Sequence, residues 1–251
     1  MAKIFIIGIG PGGVEYMSLQ AIAALQKSEI ITGYSGYIKY IQHLIQDKEI
    51  FQTGMTGEIE RCKYAVEKAA EGKTVAVISS GDSGLYGMAG PVLELIAALY
   101  PQNKTGIPVI EVEIVPGISA AFAAAAKLGA PLMHDMAIIS LSDRLTNYDI
   151  IKKRIRLASE ADFVLAIYNP KSKSRADYMA EAVRIILQFR SPETPAGIVK
   201  NACRSGEKII ITTLGNIDYS TIDMFTIVIV GNSNTYIQNG KIITPRGYSI
   251  K

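Results

Sequence analysis

Three glycine-bearing segments carry residue types suited to gripping a small ligand through the backbone. The first, Gly8-Ile9-Gly10-Pro11-Gly12-Gly13, follows an apolar run and satisfies G-x-G-x-x-G. A dinucleotide site of that kind needs an acidic residue at the end of the next strand to hold a ribose, and Ile30-Ile31-Thr32-Gly33-Tyr34 has none. Pro11 also removes an amide donor, and Glu15 puts a negative charge where a pyrophosphate would lie. NAD is disfavoured on both grounds. The second segment, Ser79-Ser80-Gly81-Asp82-Ser83-Gly84-Leu85-Tyr86-Gly87, again stands between an apolar run and a helical pattern. Asp82 suits a ligand hydroxyl or a cation such as a sulfonium, and equally the cap of the helix that follows. A side chain added at Gly81 should obstruct a ligand without disturbing the sheet. The third, Val115-Pro116-Gly117-Ile118-Ser119-Ala120, opens an alanine-rich helix whose first amides suit a carboxylate or a ribose hydroxyl. Chain reversal, helix cap and helix start are the plain structural roles of the three.

Such loops form one site only if a sheet brings them to one edge. Lys3 to Ile9, Thr74 to Ser79, Val109 to Val115, Met136 to Leu141, Phe163 to Tyr168 and Phe225 to Val230 are β-branched runs typical of buried strands. Helical patterns lie between most of them: Tyr37, Ile38, Ile41, Leu44 and Ile45 share a face, as do Leu93, Ile96, Ala97 and Tyr100. The alternation predicts an α/β fold with a largely parallel first sheet. Later, Ala196 to Lys200, Lys208 to Leu214 and Phe225 to Val230 follow closely, which predicts a mixed second sheet. A break at Pro116-Gly117 divides the chain into 1–116 and 117–251, and the tail from Asn232 reads as irregular.

Composition excludes several classes. With 49% hydrophobic and 20% charged residues the chain can bury a core. The apolar stretch from Ile118 to Ala126 is too short to span a bilayer, and the amino terminus has no signal-peptide pattern, so a cytoplasmic protein is expected. Cys62, Cys203, His43 and His134 have no metal-ligand spacing, and no protein-built metal site is expected. A net charge of +3 does not mark a nucleic-acid protein and suits an acidic small molecule.

The three loops, in this order and at these strand ends, resemble the tetrapyrrole (corrin/porphyrin) methylase family. In the second half, Ile139-Ser140-Leu141-Ser142-Asp143, Ile167-Tyr168-Asn169-Pro170-Lys171-Ser172, Val230-Gly231-Asn232-Ser233 and Thr244-Pro245-Arg246-Gly247-Tyr248 look like its precorrin-3B C(17)-methyltransferase branch, with the cobalt-factor counterpart. One departure is Ser83, where the family has proline in Gly-Asp-Pro; its loss should loosen the loop. The resemblance implies a two-domain homodimer that transfers methyl from S-adenosylmethionine, held between domains, to carbon 17 of a tetrapyrrole, coupled to ring contraction in cobalamin biosynthesis. Carried over by position, the donor contacts are Gly10, Pro11, Ser80, Gly81, Asp82, Leu85, Ser119, Ala120, Tyr168, Asn169 and Ala202.

Methyl transfer to an electron-rich carbon needs alignment rather than a nucleophilic side chain, whereas ring contraction moves protons. His134, Asp143 and Tyr86 are chemically able to act there, and no spacing singles one out. Asp143 stands just before Thr146-Asn147-Tyr148-Asp149, a capping-box pattern, and so reads as a loop anchor. Substrate carboxylates suit Arg144, Lys171, Lys173, Arg175 and Arg204; Asp143, Arg144 and Lys173 are the substrate-site candidates, with Arg144 preferred for its loop position. Three other readings stay open: a methylase of the same fold acting at another corrin position or on RNA or protein, an NAD-binding oxidoreductase, and a non-catalytic binding module.

Overall fold

The computed structural model describes residues 2–100, 109–172 and 175–249, and the chain falls into two compact units, Met1–Ala120 and Ala121–Lys251. In the first unit β1 (Lys3–Gly8), β2 (Ile30–Tyr34), β3 (Glu49–Thr53), β4 (Thr74–Ser79) and β5 (Glu111–Val115) form a five-stranded sheet in the order β3-β2-β4-β1-β5. Every pair is parallel, so all five carboxyl ends share one edge. The connections carry α1 (Leu19–Lys27), α2 (Ser35–Ile41), α3 (Glu58–Ala70) and α4 (Ala89–Leu99).

Helices on both faces explain why the strands are apolar without alternation. Ile4 and Ile6 of β1 pack with Cys62, Ala65 and Val66 of α3 and Val92 of α4. Phe5 and Ile7 pack on the other side with Ala21, Ala24 and Leu25 of α1 and with Ile38, Ile41 and Ile45. The face expected of α4 is displaced: Ala89, Val92, Ile96 and Tyr100 join the core, while Leu93 and Ala97 are exposed. β3 carries no apolar run because it is an edge strand, half exposed along Glu49-Ile50-Phe51-Gln52-Thr53.

The second unit holds α5 (Ala120–Leu128), which opens at the boundary, then β6 (Gly129–Ala130), β7 (Met136–Ser140), α6 (Tyr148–Glu160), β8 (Val164–Tyr168), α7 (Tyr178–Ile186), β9 (Pro195–Lys200), β10 (Lys208–Thr213), β11 (Thr226–Val230), β12 (Tyr236–Gln238) and β13 (Lys241–Ile243). Its main sheet runs β10-β9-β11-β8-β7 and is mixed: β7 and β8 are parallel, the remaining pairs antiparallel. Since β8 and β9 both oppose β11, the carboxyl ends of β7, β8 and β9 lie on the same edge. The core lies between this sheet and α6 and α7, from Ile151, Ile155, Met179 and Ile186 to Leu165, Ile198 and Val228.

The tail departs from the irregular chain expected. β12 and β13 form a hairpin, and β13 pairs in parallel with β6. The turn is Asn239-Gly240, both at positive φ (51° and 68°), a pairing strongly favoured in two-residue hairpins. Three-residue strands are too short to show a period, so only the Asn-Gly pair announced them. Among the described residues no helix is long and apolar enough to cross a membrane.

Candidate functional site

In the first unit the loops after β1, β4 and β5 meet at one point. Gly10 and Gly81 exchange hydrogen bonds, Gly10 N to Gly81 O at 3.1 Å and Gly81 N to Gly10 O at 2.7 Å. Ile9 N donates to Ser79 O at 2.9 Å. A Cβ on Gly8 would stand 2.7 Å from both Gly117 N and Gly81 O, and one on Gly117 would stand 2.6 Å from Gly8 O and closer still to Gly81 O. Real Cβ atoms do not approach backbone that closely, so three main chains touch where no side chain fits. Of the residues expected to contact a ligand, Gly10, Pro11 and Gly81 are buried in this junction, and Ser80, Asp82, Leu85, Ser119 and Ala120 border it.

Asp82 is the pin of the junction. Its Oδ1 accepts from Gly84 N at 2.8 Å and Leu85 N at 3.1 Å, and its Oδ2 accepts from Gly117 N at 3.0 Å. The side chain thus ties the β4–α4 loop to the loop after β5, and it does not cap α4, which opens only at Ala89. Ser83 does not loosen the loop as its replacement of proline suggested. It is 0% exposed, with its hydroxyl 3.3 Å from Ile6 O and 3.4 Å from Val115 O, where one hydrogen can serve either carbonyl. Gly81 also corrects its expectation: with φ at +69°, any side chain there is strained, at a cost on the order of 1–2 kcal/mol, so Gly81→Val would weaken the fold as well as obstruct a ligand. Tyr86 stands in the same left-handed region, φ 55°, which for a bulky residue costs on the order of 1–3 kcal/mol.

The geometry also disposes of a pyrophosphate site at the first loop. Gly13 leads into a 3-10 turn at Val14–Tyr16, and α1 begins only at Leu19, its amino end capped by Ser18 accepting from Ala21 N at 3.0 Å. The helix amides that a dinucleotide loop presents are therefore not at the glycines.

In the second unit Tyr168 and Asn169 end β8, and Ala202 is buried in the loop after β9, on the same sheet edge. The Tyr168 hydroxyl accepts from Ala121 N at 2.9 Å in the first turn of α5. Asn169, at φ 51°, donates through Nδ2 to Ser140 Oγ at 2.8 Å, which links β8 to β7. The loop holding Ala202 has Asn201 and Cys203 at positive φ (50° and 61°), with Cys203 N donating to Glu207 Oε2 at 2.6 Å.

Asp143 is an anchor, though not through a helix cap, which is Asn147 accepting from Asp149 N at 2.8 Å. It accepts from the Tyr178 hydroxyl at 2.7 Å and from Arg175 Nη1 at 3.3 Å, and Tyr178 stacks on Tyr148 with ring centroids 3.9 Å apart. Arg175 is thereby occupied, and Lys171 donates to Tyr219 O at 2.9 Å. Arg144 is exposed and has no hydrogen bond or ion pair among the described residues, next to a Leu145 that is 100% exposed. Lys173 lies outside the described residues. A cavity of about 450 Å³ is lined by Leu132, Met133, His134, Asp135, Met136 and Arg246, at the amino end of β7, and so stands at the opposite end of that strand from Asp143. His134 is thus not placed with the other candidates of its unit.

The sequence pointed to the loops but not to what makes them a junction. The near-contact of Gly8 with Gly117, residues far apart in the chain, has no local pattern, and the role of Ser83 depends on its burial between two strands.

Two outcomes follow from this geometry. Gly117→Ala forces a Cβ against fixed carbonyls and should cost about 1–3 kcal/mol, seen as a lower midpoint in urea unfolding; an unchanged midpoint would mean the junction yields. At Asp143 the Tyr178 hydroxyl, and less strongly Arg175, hold the carboxyl below its ordinary 3.8. A depressed folded value means the anchor contributes fully above the ordinary carboxyl range and is lost as pH falls through the folded value. Below about pH 4 the wild-type melting temperature should therefore fall more steeply than that of Asp143→Asn, with the two curves parallel between about pH 5 and 8.

The chain matches the family model of the Tetrapyrrole (Corrin/Porphyrin) Methylases over residues 3–218. It is 49% identical to a probable cobalt-factor III C(17)-methyltransferase of Salmonella typhimurium, over 98% of this chain and 99% of that one. It is also 49% identical to the cobalt-factor III methyltransferase of Priestia megaterium, over 99% of this chain but only 46% of that longer protein. Among solved structures, the methyltransferase CobJ superimposes with a TM-score of 0.88 at 34% identity, covering 96% of this chain and 99% of that one. With three strand-end loops joined at a side-chain-free junction and a match that runs through both units, the chain belongs to the tetrapyrrole methylases.

Proposed function

We propose that this chain transfers a methyl group from S-adenosylmethionine to carbon 17 of a cobalt-factor III type tetrapyrrole, coupled to ring contraction, as a cytoplasmic homodimer in cobalamin biosynthesis. The observation that carries this reading is the 49% identity with the Salmonella relative, over 98% of this chain and 99% of that one, since that relative is named a probable cobalt-factor III C(17)-methyltransferase. The Salmonella and Priestia relatives are both named for cobalt-factor III, which favours it over metal-free precorrin-3B.

S-adenosylmethionine supplies an electrophilic methyl on a sulfonium. The first unit suits such a donor: Gly10, Pro11, Ser80, Gly81, Asp82 and Leu85 offer mostly backbone at the junction, and the Ala120 amide, first of α5, has no partner among the described residues. Asp82 contributes shape rather than a free charge, since both its oxygens are committed to amides. We assign Ser119, Tyr168, Asn169 and Ala202 to the same ligand by position in the family pattern. Rate then comes chiefly from holding the reactants in line and excluding water, effects large enough to need no nucleophilic side chain. Arg144 is assigned to a substrate carboxylate, because the Asp143 anchor fixes its loop while its guanidinium has no partner among the described residues. Asp143 and Lys173 are assigned to the same substrate region, Asp143 as the anchor.

Calorimetry should show S-adenosylhomocysteine binding and no NAD binding; the reverse would end the methyltransferase reading. Mass spectrometry of products from cobalt-loaded and metal-free substrate distinguishes the two tetrapyrroles. Arg144→Ala should raise KM for the tetrapyrrole about tenfold, or about 1.4 kcal/mol, with donor affinity and melting temperature unchanged. An unaltered KM would return Arg144 to the solvated surface.

A further inference from the structure

We infer that Tyr86 is a substrate-contacting residue whose ring packs against the face of the tetrapyrrole macrocycle beside the bound donor, an assignment that rests on the methyl-transfer reading above. Tyr86 follows Leu85 in the β4–α4 loop, at the carboxyl edge of the first sheet. The loop is fixed on both sides of it. Gly81 is paired with Gly10, and Asp82 binds the amides of Gly84, Leu85 and Gly117. Ser83 O accepts from Ala89 N at 3.0 Å, and Ser79 Oγ from Met88 N at 3.0 Å.

Within this frame Tyr86 has φ 55°, a conformation that bulky side chains avoid. Strain of this kind persists where the surroundings over-determine it, and it concentrates at ligand-gripping positions. Glycine would adopt the same backbone freely, so the position carries its ring in spite of the backbone. Burial does not explain the ring either: Tyr86 is 55% exposed, although the neighbouring Ser83 and Met88 are buried. A flat, half-exposed aromatic face at the mouth of the donor loops matches a flat conjugated ligand, since π-systems stack in offset geometry over a large area. The same kind of platform holds nucleobases on exposed aromatic rings.

The experiment compares Tyr86→Phe, Tyr86→Leu and Tyr86→Gly in the full chain, with three measurements: affinity for S-adenosylhomocysteine, steady-state KM and kcat for the cobalt-loaded tetrapyrrole, and melting temperature. Loss of the ring in Tyr86→Leu and Tyr86→Gly should raise KM about tenfold, equivalent to about 1.4 kcal/mol, with kcat changing less and donor affinity unchanged. Tyr86→Phe should restore the wild-type KM. The melting temperatures check that each variant is folded where KM is read, Tyr86→Gly being freed of the left-handed strain. The assignment is overturned if the Leu and Gly variants keep the wild-type KM, or if Tyr86→Phe is as impaired as Tyr86→Gly, which would make the hydroxyl the functional group. A wild-type chain that binds no donor would instead bring down the methyl-transfer reading, and this assignment with it.

Discussion

The first unit depends on a steric fact: three main chains come together at Gly8, Gly81 and Gly117, and neither Gly8 nor Gly117 has space for a methyl group. Parallel pairing of β1 with β4 and with β5 delivers the three loops to one edge in register. The close approach then permits the Gly10 to Gly81 bonds and the reach of Asp82 to Gly117 N. Backbone is what remains facing outward, and backbone is a ligand-binding surface that few substitutions of neighbouring side chains can alter.

Much of this was legible from residue order. Continuous β-branched runs with helices between them indicated the parallel sheet, because a strand covered on both faces has no polar side to show. Gly81-Asp82 and Pro116-Gly117 announced strand-end loops. What remained hidden was tertiary in origin. The half-exposed β3 lacks an apolar run because one of its long sides meets no further strand, and β12 and β13 are too short for any period. The strain at Tyr86 comes from bonds made by its neighbours, and the value of Ser83 comes from two carbonyls on strands it does not belong to.

Carboxylates serve a common purpose across both units. Asp82 gathers amides, Asp143 binds Tyr178 and Arg175, and Asp162 binds Ser233 and the Arg190 guanidinium, which is 8% exposed. Each fixes a loop at the end of a strand or helix. A conservative change at such an anchor, Asp to Asn, keeps the shape but removes the charge that gathers its donors.

The order of the second sheet has a consequence for how the chain acquires its structure during synthesis. β11 lies between β8 and β9, yet it is the last of the five strands to leave the ribosome. Until Thr226–Val230 emerge, the apolar segments Val164–Tyr168 and Pro195–Lys200 have an unfilled slot between them and cannot form the central ladders of the sheet. The first unit meets no such delay, since its residues are complete before most of the second is made. Nascent chains should therefore pass through a stage with one finished unit and one open, edge-exposing unit, a stage in which non-local pairing is slow and intermolecular strand pairing competes with it. Chaperones, growth temperature and the speed of translation through the segment that carries β11 would then act on soluble yield.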